Sequence, residues 1–163
     1  MIITKTPYRI SFFGGGSDYP SWYKKNGGAV LSTTIDKHVY ISCRFSPKYF
    51  KQKYRIVWRK IENVQRVNEI NHKAVRELLK YLKIKSGLEI HYYGDLPARS
   101  GMGSSSSFTV GLMQALYRIK KIKLTKANLA KKSIHFEQKI MKEVVGSQDQ
   151  TSASFGGFNK IVF

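Results

Sequence analysis

The fold of this chain is decided by one stretch, residues 96–107, whose sequence is LPARSGMGSSSS. It lies between a strand predicted over residues 88–92 and a helix predicted from about residue 105 to 119. Glycines let a backbone approach a ligand closely, and the free N–H groups at the start of a helix attract an anion. We therefore predict a phosphate site here; the structural alternative is a capped helix start with flexible serines.

The phosphate site is not one of the two most familiar kinds. The chain contains no G-x-x-x-x-G-K-S/T sequence, so a Walker A loop is excluded and the lysine of such a loop needs a substitute. A dinucleotide-binding fingerprint is excluded because it needs a third glycine before the helix. The residues predicted to bind phosphate are Gly101, Met102, Gly103, Ser104, Ser105, Ser106 and Ser107.

Periodicity around this stretch predicts the remaining elements. Apolar runs separated by turns predict strands over residues 8–13, 29–35, 38–45, 54–58 and 158–163. Apolar stripes predict helices over residues 70–82 and 125–142, the second with Thr125 as its N-cap. Residues 146–152 are predicted to form a polar loop. Because strands come early and helices are mixed in later, we predict an α+β fold.

The composition is that of one ordinary domain covering residues 1–163. A single cysteine, Cys43, excludes both an internal disulfide scaffold and a zinc site built on cysteine alone. The sequence has no apolar run near the ~20 residues that span a bilayer and no signal peptide at its N-terminus. These features predict a cytoplasmic protein without a membrane partner.

The charge of the chain is unusual, because it has 29 basic residues but only 10 acidic ones, which gives a formal net charge of +19. Residues 48–60 carry six basic side chains and residues 118–132 carry seven, with no acid in either run. Such runs indicate either a solvated lysine-rich surface or a patch for polyanions such as nucleic acid or phosphorylated metabolites. The rival function is accordingly a basic nucleic-acid-binding module without enzymatic activity.

Three segments, in order along the chain, resemble motifs of the GHMP small-molecule kinases. Residues 97–107 look like the family's phosphate loop, with Met102 in place of the more usual leucine. Residues 7–19, PYRISFFGGGSDY, are similar to the first motif in its sugar-kinase form, and residues 146–150, GSQDQ, to the segment with the catalytic aspartate. The triple glycine and residues 34–37 look most like the heptose-phosphate kinases. With three ordered motifs, nucleic acid is not the expected partner.

The resemblance implies a reaction and a set of roles. The γ-phosphoryl group of MgATP would pass to a hydroxyl of a sugar or sugar phosphate, most closely the anomeric hydroxyl of a heptose 7-phosphate, with ATP and Mg²⁺ as cofactors. The implied roles are catalysis for Asp149 and Arg9, Mg²⁺ binding for Ser105 and Glu137, and substrate binding for Ser17, Asp18 and Tyr19.

Elementary chemistry supports these roles and leaves an alternative to each. Glu137 is predicted on or beside the inward face of its helix, where a carboxylate costs free energy without a cation, unless it reaches solvent. Asp149 would orient the acceptor hydroxyl, or else cap its own loop. Arg9 would lower the pKa of Asp149 and stabilise the transferred charge, or else be an exposed strand arginine. Asp18 would accept hydrogen bonds from sugar hydroxyls, or else stabilise the turn in which it lies.

The resemblance also implies a two-layer fold with a left-handed βαβ unit, and it covers only the family's N-terminal, ATP-binding domain. The chain stops soon after Asp149, so the C-terminal domain is expected to be absent from it. We therefore expect an exposed apolar face, covered by self-association or by a separate C-terminal half. Because water exclusion would be poor, weak or no kinase activity is expected of this chain alone.

Overall fold

The computed structural model describes residues 1–47, 49–97 and 100–163; Lys48 of the first basic run and Ala98 and Arg99 of the predicted phosphate loop lie outside the described residues. Its strands are β1 (Ile2–Phe13), β2 (Ala29–Phe45), β3 (Tyr54–Val57), β4 (Ile61–Val64), β5 (Leu88–Gly94) and β6 (Phe158–Val162). Its α-helices are α1 (Pro20–Asn26), α2 (Lys73–Tyr81), α3 (Ser104–Ile119), α4 (Lys126–His135) and α5 (Gln148–Phe155). The predicted mixed class, with one sheet and a layer of helices, is confirmed.

The sheet is organised around β2, which pairs antiparallel with β1 from Leu31 to Cys43. The other edge of β2 changes partner, because residues 29–33 pair with β6 and residues 39–45 pair with β5. β5 is parallel to β3, and the connection between them passes through β4 and α2. This is a βαβ unit of the kind that the resemblance implies; its hand stays a prediction.

Some of the predicted strand boundaries are wrong, and β1 begins at Ile2 rather than at residue 8. The separate strands predicted over residues 29–35 and 38–45 are one strand, β2, in which Asp36 and Lys37 are exposed. The register of β1 against β2 shifts between Pro7 and Arg9, close to this point. A bulge of this kind lets a strand carry exposed polar residues without losing its partner, and the sequence pattern alone suggests a break there.

The polar loop predicted over residues 146–152 is also wrong, because α5 begins at Gln148. Most of α5 is buried although it is polar, so no apolar stripe marks it as a helix. Its polar side chains bond to neighbouring elements instead: Ser152 Oγ lies 2.9 Å from Ser32 Oγ of β2. The first turn is held from another part of the chain, since the N–H of Gln148 donates to Asp18 Oδ2 at 3.1 Å.

The helix predicted over residues 125–142 begins as expected and ends early. Thr125 Oγ1 accepts a hydrogen bond from the N–H of Asn128 at 3.2 Å, which confirms the predicted N-cap. After His135 the backbone widens into a π-helical turn, Phe136–Ile140. Such turns shift the direction of the side chains that follow, and this one contains Glu137.

The helical layer rests on the sheet through α3, which packs against β1 and β2. Contact is closest at Gly111, whose carbonyl accepts a hydrogen bond from Thr4 Oγ1 at 3.1 Å. A Cβ on Gly111 would lie only 2.7 Å from Thr6 Oγ1. This close approach fixes how far the N-terminus of α3 stands above the sheet. No helix in the described ranges is long and apolar enough to cross a membrane.

We predict that Gly111→Ala destabilises the protein, although alanine usually favours a helix over glycine by about 1 kcal/mol. The added methyl group would lie 2.7 Å from Thr6 Oγ1 and 3.4 Å from Ile41 Cδ1. Overpacking of this kind costs about 1–3 kcal/mol, measurable as a lower free energy of unfolding in urea. Adding Thr6→Ala removes the nearest atom, so the double variant should be more stable than Gly111→Ala; equal or lower stability would contradict the prediction.

Candidate active site

Arg9 joins three segments of the chain at the N-terminal end of α3. Its Nε donates to Asp149 Oδ1 at 2.7 Å, and its Nη2 lies 2.6 Å from the same oxygen. Its Nη1 donates to the carbonyl of Gly101 at 2.7 Å, and its backbone N–H donates to the carbonyl of Met102 at 3.2 Å. With 13% of its side chain exposed, Arg9 is not the solvated strand arginine that was the alternative.

Asp149 lies in the first turn of α5 and faces the tip of α3. Burial raises the pKa of its carboxyl group, the Arg9 guanidinium acts in the opposite direction, and the nearby charge of Asp18 raises it further. The tip comes close because Gly103 has a φ of +73°, which favours glycine. A Cβ on Gly103 would lie 3.1 Å from Asp149 Oδ2. The glycine therefore brings the start of α3 beside this carboxylate.

The first turn of α3 presents free backbone amides. Its first helical hydrogen bond runs from the N–H of Ser107 to the carbonyl of Gly103 at 2.9 Å, so the amides of residues 104–106 precede the helical ladder. The positive end of the helix dipole adds to them. The hydroxyl of Ser107 is used structurally, because it donates to the carbonyl of Pro7 at 2.8 Å.

Glu137 is 2% exposed and lies under the first turn of α3. Its Oε2 accepts hydrogen bonds from Ser106 Oγ at 2.9 Å and from Gln150 Nε2. Within the described ranges, its Oε1 and the Oε1 of Gln150 have no hydrogen-bond partner. Burial raises the pKa of Glu137, and hydrogen bonding from the side chains of Thr109, Gln150 and Ser106 acts in the opposite direction. The side chain does not reach solvent, which was the alternative.

These oxygens fit a hard divalent cation. One carboxylate oxygen, Glu137 Oε1, and one amide oxygen, Gln150 Oε1, are buried without a partner among the described residues, and Mg²⁺ prefers such oxygen donors. Mg²⁺ takes few protein ligands because it keeps waters and substrate phosphates. The described residues contain no cluster of three or more His, Cys, Asp or Glu. A site with a single carboxylate therefore suits Mg²⁺ bound together with a triphosphate better than a resident metal with a full protein cage.

The structure separates two serines that the sequence does not distinguish. Ser105, predicted to bind metal with Glu137, is exposed on α3, whereas Ser106 contacts Glu137. Successive helical residues point about 100° apart, so Ser106 contacts Glu137 directly and Ser105 could share only an ion bound between them. In a run of four serines the composition carries no signal for this choice.

The first motif is held mainly by its own backbone. Ser17 Oγ lies 2.7 Å from the carbonyl of Gly14 and 3.2 Å from that of Ala29, and it can donate to either. Asp18 is 1% exposed and accepts hydrogen bonds from the backbone N–H groups of Gly16 and Gln148. These contacts favour a structural role for Ser17. Substrate binding by Ser17, Asp18 and Tyr19 stays a prediction.

Two cavities flank the Arg9–Asp149 pair. One, of about 120 Å³, includes Arg9, Asp149, Asp18 and Tyr19 in its lining. The other, of about 560 Å³, also includes Arg9 and extends between residues 10–15 and 100–102. The smaller cavity also includes Ser106 and Gln150, both of which donate hydrogen bonds to Glu137.

A third cavity, of about 370 Å³, lies beside Ser104 and Ser105 and is mostly aromatic. The ring of His72 stacks on Phe108 with centroids 4.8 Å apart, and Trp58 meets His72 edge-on at 4.8 Å. Burial lowers the pKa of His72, which favours a neutral ring. The sequence does not reveal this cavity, because its residues come from four separated parts of the chain and none of these parts carries a recognisable motif for it.

Residues 68–157 match the family model of the GHMP kinases N terminal domain. The match covers more than half of the chain and includes the phosphate loop, Glu137 and Asp149. The chain belongs to the GHMP kinase family, which confirms the resemblance seen in its motifs.

Curated relatives include sugar kinases of about twice the length. The chain is 30% identical to the D-glycero-alpha-D-manno-heptose 7-phosphate kinase of Campylobacter jejuni, with 99% of this chain and 50% of that protein covered. It is 27% identical to the galactokinase of Pyrococcus furiosus, with 99% and 46% covered. The chain thus spans about half the length of the curated relatives it matches.

A solved structure has the same fold over the entire chain. A D-glycero-D-manno-heptose 1-phosphate kinase from Bacteroides thetaiotaomicron aligns with a TM-score of 0.87 at 23% identity, covering 100% of this chain and 56% of that one. At this identity the likeness supports the fold and leaves the substrate open.

We predict that, with divalent cations chelated, the buried carboxyl of Glu137 makes stability fall as pH rises. Its pKa is raised on folding, so between its ordinary value of 4.5 and the folded value the native state binds more protons than the unfolded state. The free energy of unfolding therefore decreases with increasing pH across that window. Glu137→Gln should reduce this slope and be more stable than the unaltered protein at pH 7.

The matched control is Glu77→Gln. Hydrogen bonding from Arg76 lowers the pKa of Glu77, so this carboxyl contributes stability above its unfolded pKa and loses it as pH falls. Urea unfolding of both variants between pH 4 and 8 should give changes of opposite sign at neutral pH. A Glu137→Gln variant less stable than the unaltered protein at pH 7 would overturn the assignment.

Proposed function

We propose that this chain is the nucleotide-binding part of a sugar kinase that transfers the γ-phosphoryl group of MgATP to a hydroxyl of a sugar or sugar phosphate. The acceptor would be the anomeric hydroxyl of a heptose 7-phosphate. The observation that carries the proposal is the convergence of Arg9, Asp149 and the carbonyl of Gly101 at the tip of α3. The named activities of the curated relatives, a heptose 7-phosphate kinase and a galactokinase, support the sugar class.

The triphosphate would lie along the first turn of α3. The amides of residues 104–106 and the hydroxyls of Ser104 and Ser105 lie at the positive end of this helix. This arrangement supplies without a P-loop lysine what a Walker A loop supplies with one. Met102 and Gly103 would contribute backbone and shape rather than side-chain contacts.

The aromatic cavity beside Ser104 and Ser105 is the natural place for the nucleoside base. Ser104 and Ser105 of the first turn of α3 form part of its wall, together with Trp58, Tyr92 and Phe108. Flat apolar rings favour a planar heterocycle, whereas a charged phosphate group would lose its hydration against them. The base and the triphosphate of ATP would thus both lie beside the start of α3.

Asp149 and Arg9 would carry the phosphoryl transfer. The acceptor oxygen forms a bond to the γ-phosphorus, the bond from that phosphorus to the β–γ bridging oxygen breaks, and ADP leaves. The hydroxyl proton passes to Asp149, whose pKa is raised by burial and is therefore closer to that of a useful base. Arg9 would hold Asp149 in place and stabilise the negative charge that spreads over the phosphoryl oxygens.

Glu137 and Ser105 would hold the Mg²⁺ ion, as the resemblance implies. When bound, the ion would neutralise the phosphate charge and keep the nucleotide aligned. Ser106, by donating to Glu137 Oε2, would orient the carboxylate so that its Oε1 stays available. Gln150 would act on the same oxygen from α5.

Nucleotide binding tests the proposal. A fluorescent β,γ-imido ATP analogue should bind the chain more tightly with Mg²⁺ than without it. Glu137→Gln should reduce the gain in nucleotide affinity on adding Mg²⁺ by at least about tenfold. Ligand and supporting residues of a metal site typically affect affinity by 10–100-fold. Asp149→Asn is the matched control, because it removes a neighbouring carboxylate that is not proposed to bind metal, and it should leave the Mg²⁺ dependence of nucleotide affinity nearly unchanged.

Salt distinguishes this function from the nucleic-acid alternative. Counterion release makes affinity for nucleic acid fall steeply with salt concentration, whereas a site built on amides and a metal depends on the metal. An affinity that follows salt alone and ignores both Mg²⁺ and Glu137→Gln would reject the kinase proposal.

A pair of adjacent serines tests the metal site itself. Ser105→Ala should weaken the Mg²⁺-dependent part of nucleotide binding, because it removes a proposed ligand. Ser106→Ala should instead raise the pKa of Glu137, because a hydrogen bond to its charged form is lost. Mg²⁺ titrations and carboxyl NMR resolve the two effects. If only Ser106→Ala alters the Mg²⁺ dependence, Ser106 and not Ser105 is the ligand.

A further inference from the structure

The cavity of about 560 Å³ beside Arg9 shares no lining residue with the aromatic cavity proposed for the nucleoside base. It lies between the glycine-rich turn and the loop at residues 100–102, and Arg9 lies in its wall. Gln148, the residue before Asp149, is also in its wall. Its size falls in the range of about 300–1,000 Å³ that is typical of small-molecule sites. The cavity thus adjoins the place where the acceptor hydroxyl would meet the phosphoryl group.

Three residues of this wall carry polar atoms that are buried and unsatisfied. In the part of the chain that the structure describes, Ser11 Oγ, Ser100 Oγ and Gln148 Oε1 have no hydrogen-bond partner. Buried polar groups are normally paired, so three in one wall call for an explanation. A ligand with several hydroxyl groups would supply partners for all three.

Two of these side chains converge on Gly15. Ser11 Oγ and Gln148 Nε2 each lie 3.9 Å from the point where a Cβ on Gly15 would stand. A terminal amide offers both a donor and an acceptor, and a hydroxyl offers the same. Ser11 and Gln148 can therefore hold one or two neighbouring hydroxyls over Gly15, where the lack of a side chain leaves room.

Aromatic side chains supply another part of the wall. Phe12 and Phe13 line the cavity, and 50% and 71% of their surfaces are exposed. A sugar combines hydroxyls at its edge with a C–H face that packs on aromatic rings. An acceptor with a single hydroxyl on an alkyl chain would leave the polar atoms of this wall unpaired.

We infer that Ser11 and Gln148 are specificity-determining residues, which select a polyhydroxylated acceptor by hydrogen bonds to hydroxyls other than the one that is phosphorylated. This inference rests on the proposed function and deepens it. A site built to bond a hydroxyl rejects an analogue that lacks it, because its own buried polar groups are then left without partners. The two residues act on the body of the acceptor, and Asp149 acts on its reacting oxygen.

Acceptor binding tests the inference without requiring turnover. The chain is saturated with Mg²⁺ and the β,γ-imido ATP analogue, and the affinities for heptose 7-phosphate and its monodeoxy analogues are measured by ligand-observed NMR. Ser11→Ala and Gln148→Met should each weaken the binding of heptose 7-phosphate about two- to tenfold, which is the range expected for the loss of one hydrogen bond. Each variant should also stop discriminating against one deoxy analogue, because the partner of that hydroxyl has gone. Nucleotide affinity should not change.

Two further variants separate recognition from structure. Gly15→Ala introduces no close contact, so it should keep the fold and weaken all acceptors by occupying space. Ser154→Ala is the matched control: within the described residues its hydroxyl is also buried and unpartnered, but it lies at the other end of α5, away from this cavity. It should change no acceptor affinity.

The outcomes distinguish this inference from the proposed function. If nucleotide binds normally but Ser11→Ala and Gln148→Met bind every acceptor as the unaltered chain does, the inference is overturned and the kinase proposal stands. The inference is also overturned if the nucleotide-loaded chain binds no acceptor. If the unaltered chain binds no nucleotide, both fail.

Discussion

The ion pair between Arg9 and Asp149 is the constraint on which the site depends. A largely buried carboxylate is costly by itself, and a guanidinium with two nitrogens on one oxygen offsets that cost only when its geometry is held. Here β1 supplies the backbone, Gly101 supplies a second acceptor for Arg9, and α5 supplies Asp149. Because one side chain touches all three segments, their relative positions are coupled. Movement of the phosphate loop away from α5 would break bonds on both sides of the guanidinium.

Glu137 shows the opposite balance, because it is buried without any cation of the protein near it in the described structure. Its partners are neutral, and one of its oxygens has none among the described residues. Such a group weakens the fold at neutral pH and gains from a ligand that carries positive charge. A helix that ended regularly at His135 would not need to bury this residue; the π-helical turn that follows places it under α3. The buried carboxylate and the irregular backbone are thus aspects of one feature.

Much of this arrangement could be predicted from the sequence, and the rest could not for identifiable reasons. α3, the N-cap Thr125 and the burial of Glu137 follow from local patterns of capping residues and helical periodicity, and phosphate binding before α3 stays a prediction. α5 escaped prediction because its buried polar residues form hydrogen bonds with distant partners, and such bonds have no period. The choice between Ser105 and Ser106 depends on the angle at which a helix starts, which four identical residues cannot reveal. The aromatic cavity depends on tertiary contacts alone.

The triple glycine illustrates how one pattern can serve two purposes. Gly14 has a φ of +82°, and a Cβ on it would stand 1.8 Å from the carbonyl oxygen of Ala29, so this glycine is required by the backbone itself. At Gly15 a Cβ would meet only Ser11 Oγ and Gln148 Nε2, both at 3.9 Å, so the backbone would tolerate a side chain there. A position that tolerates a side chain sterically and yet borders unpaired polar atoms at a cavity is better explained by access than by folding. The first glycine therefore closes the turn against β2, and the second keeps the wall of the proposed acceptor cavity open beside Arg9.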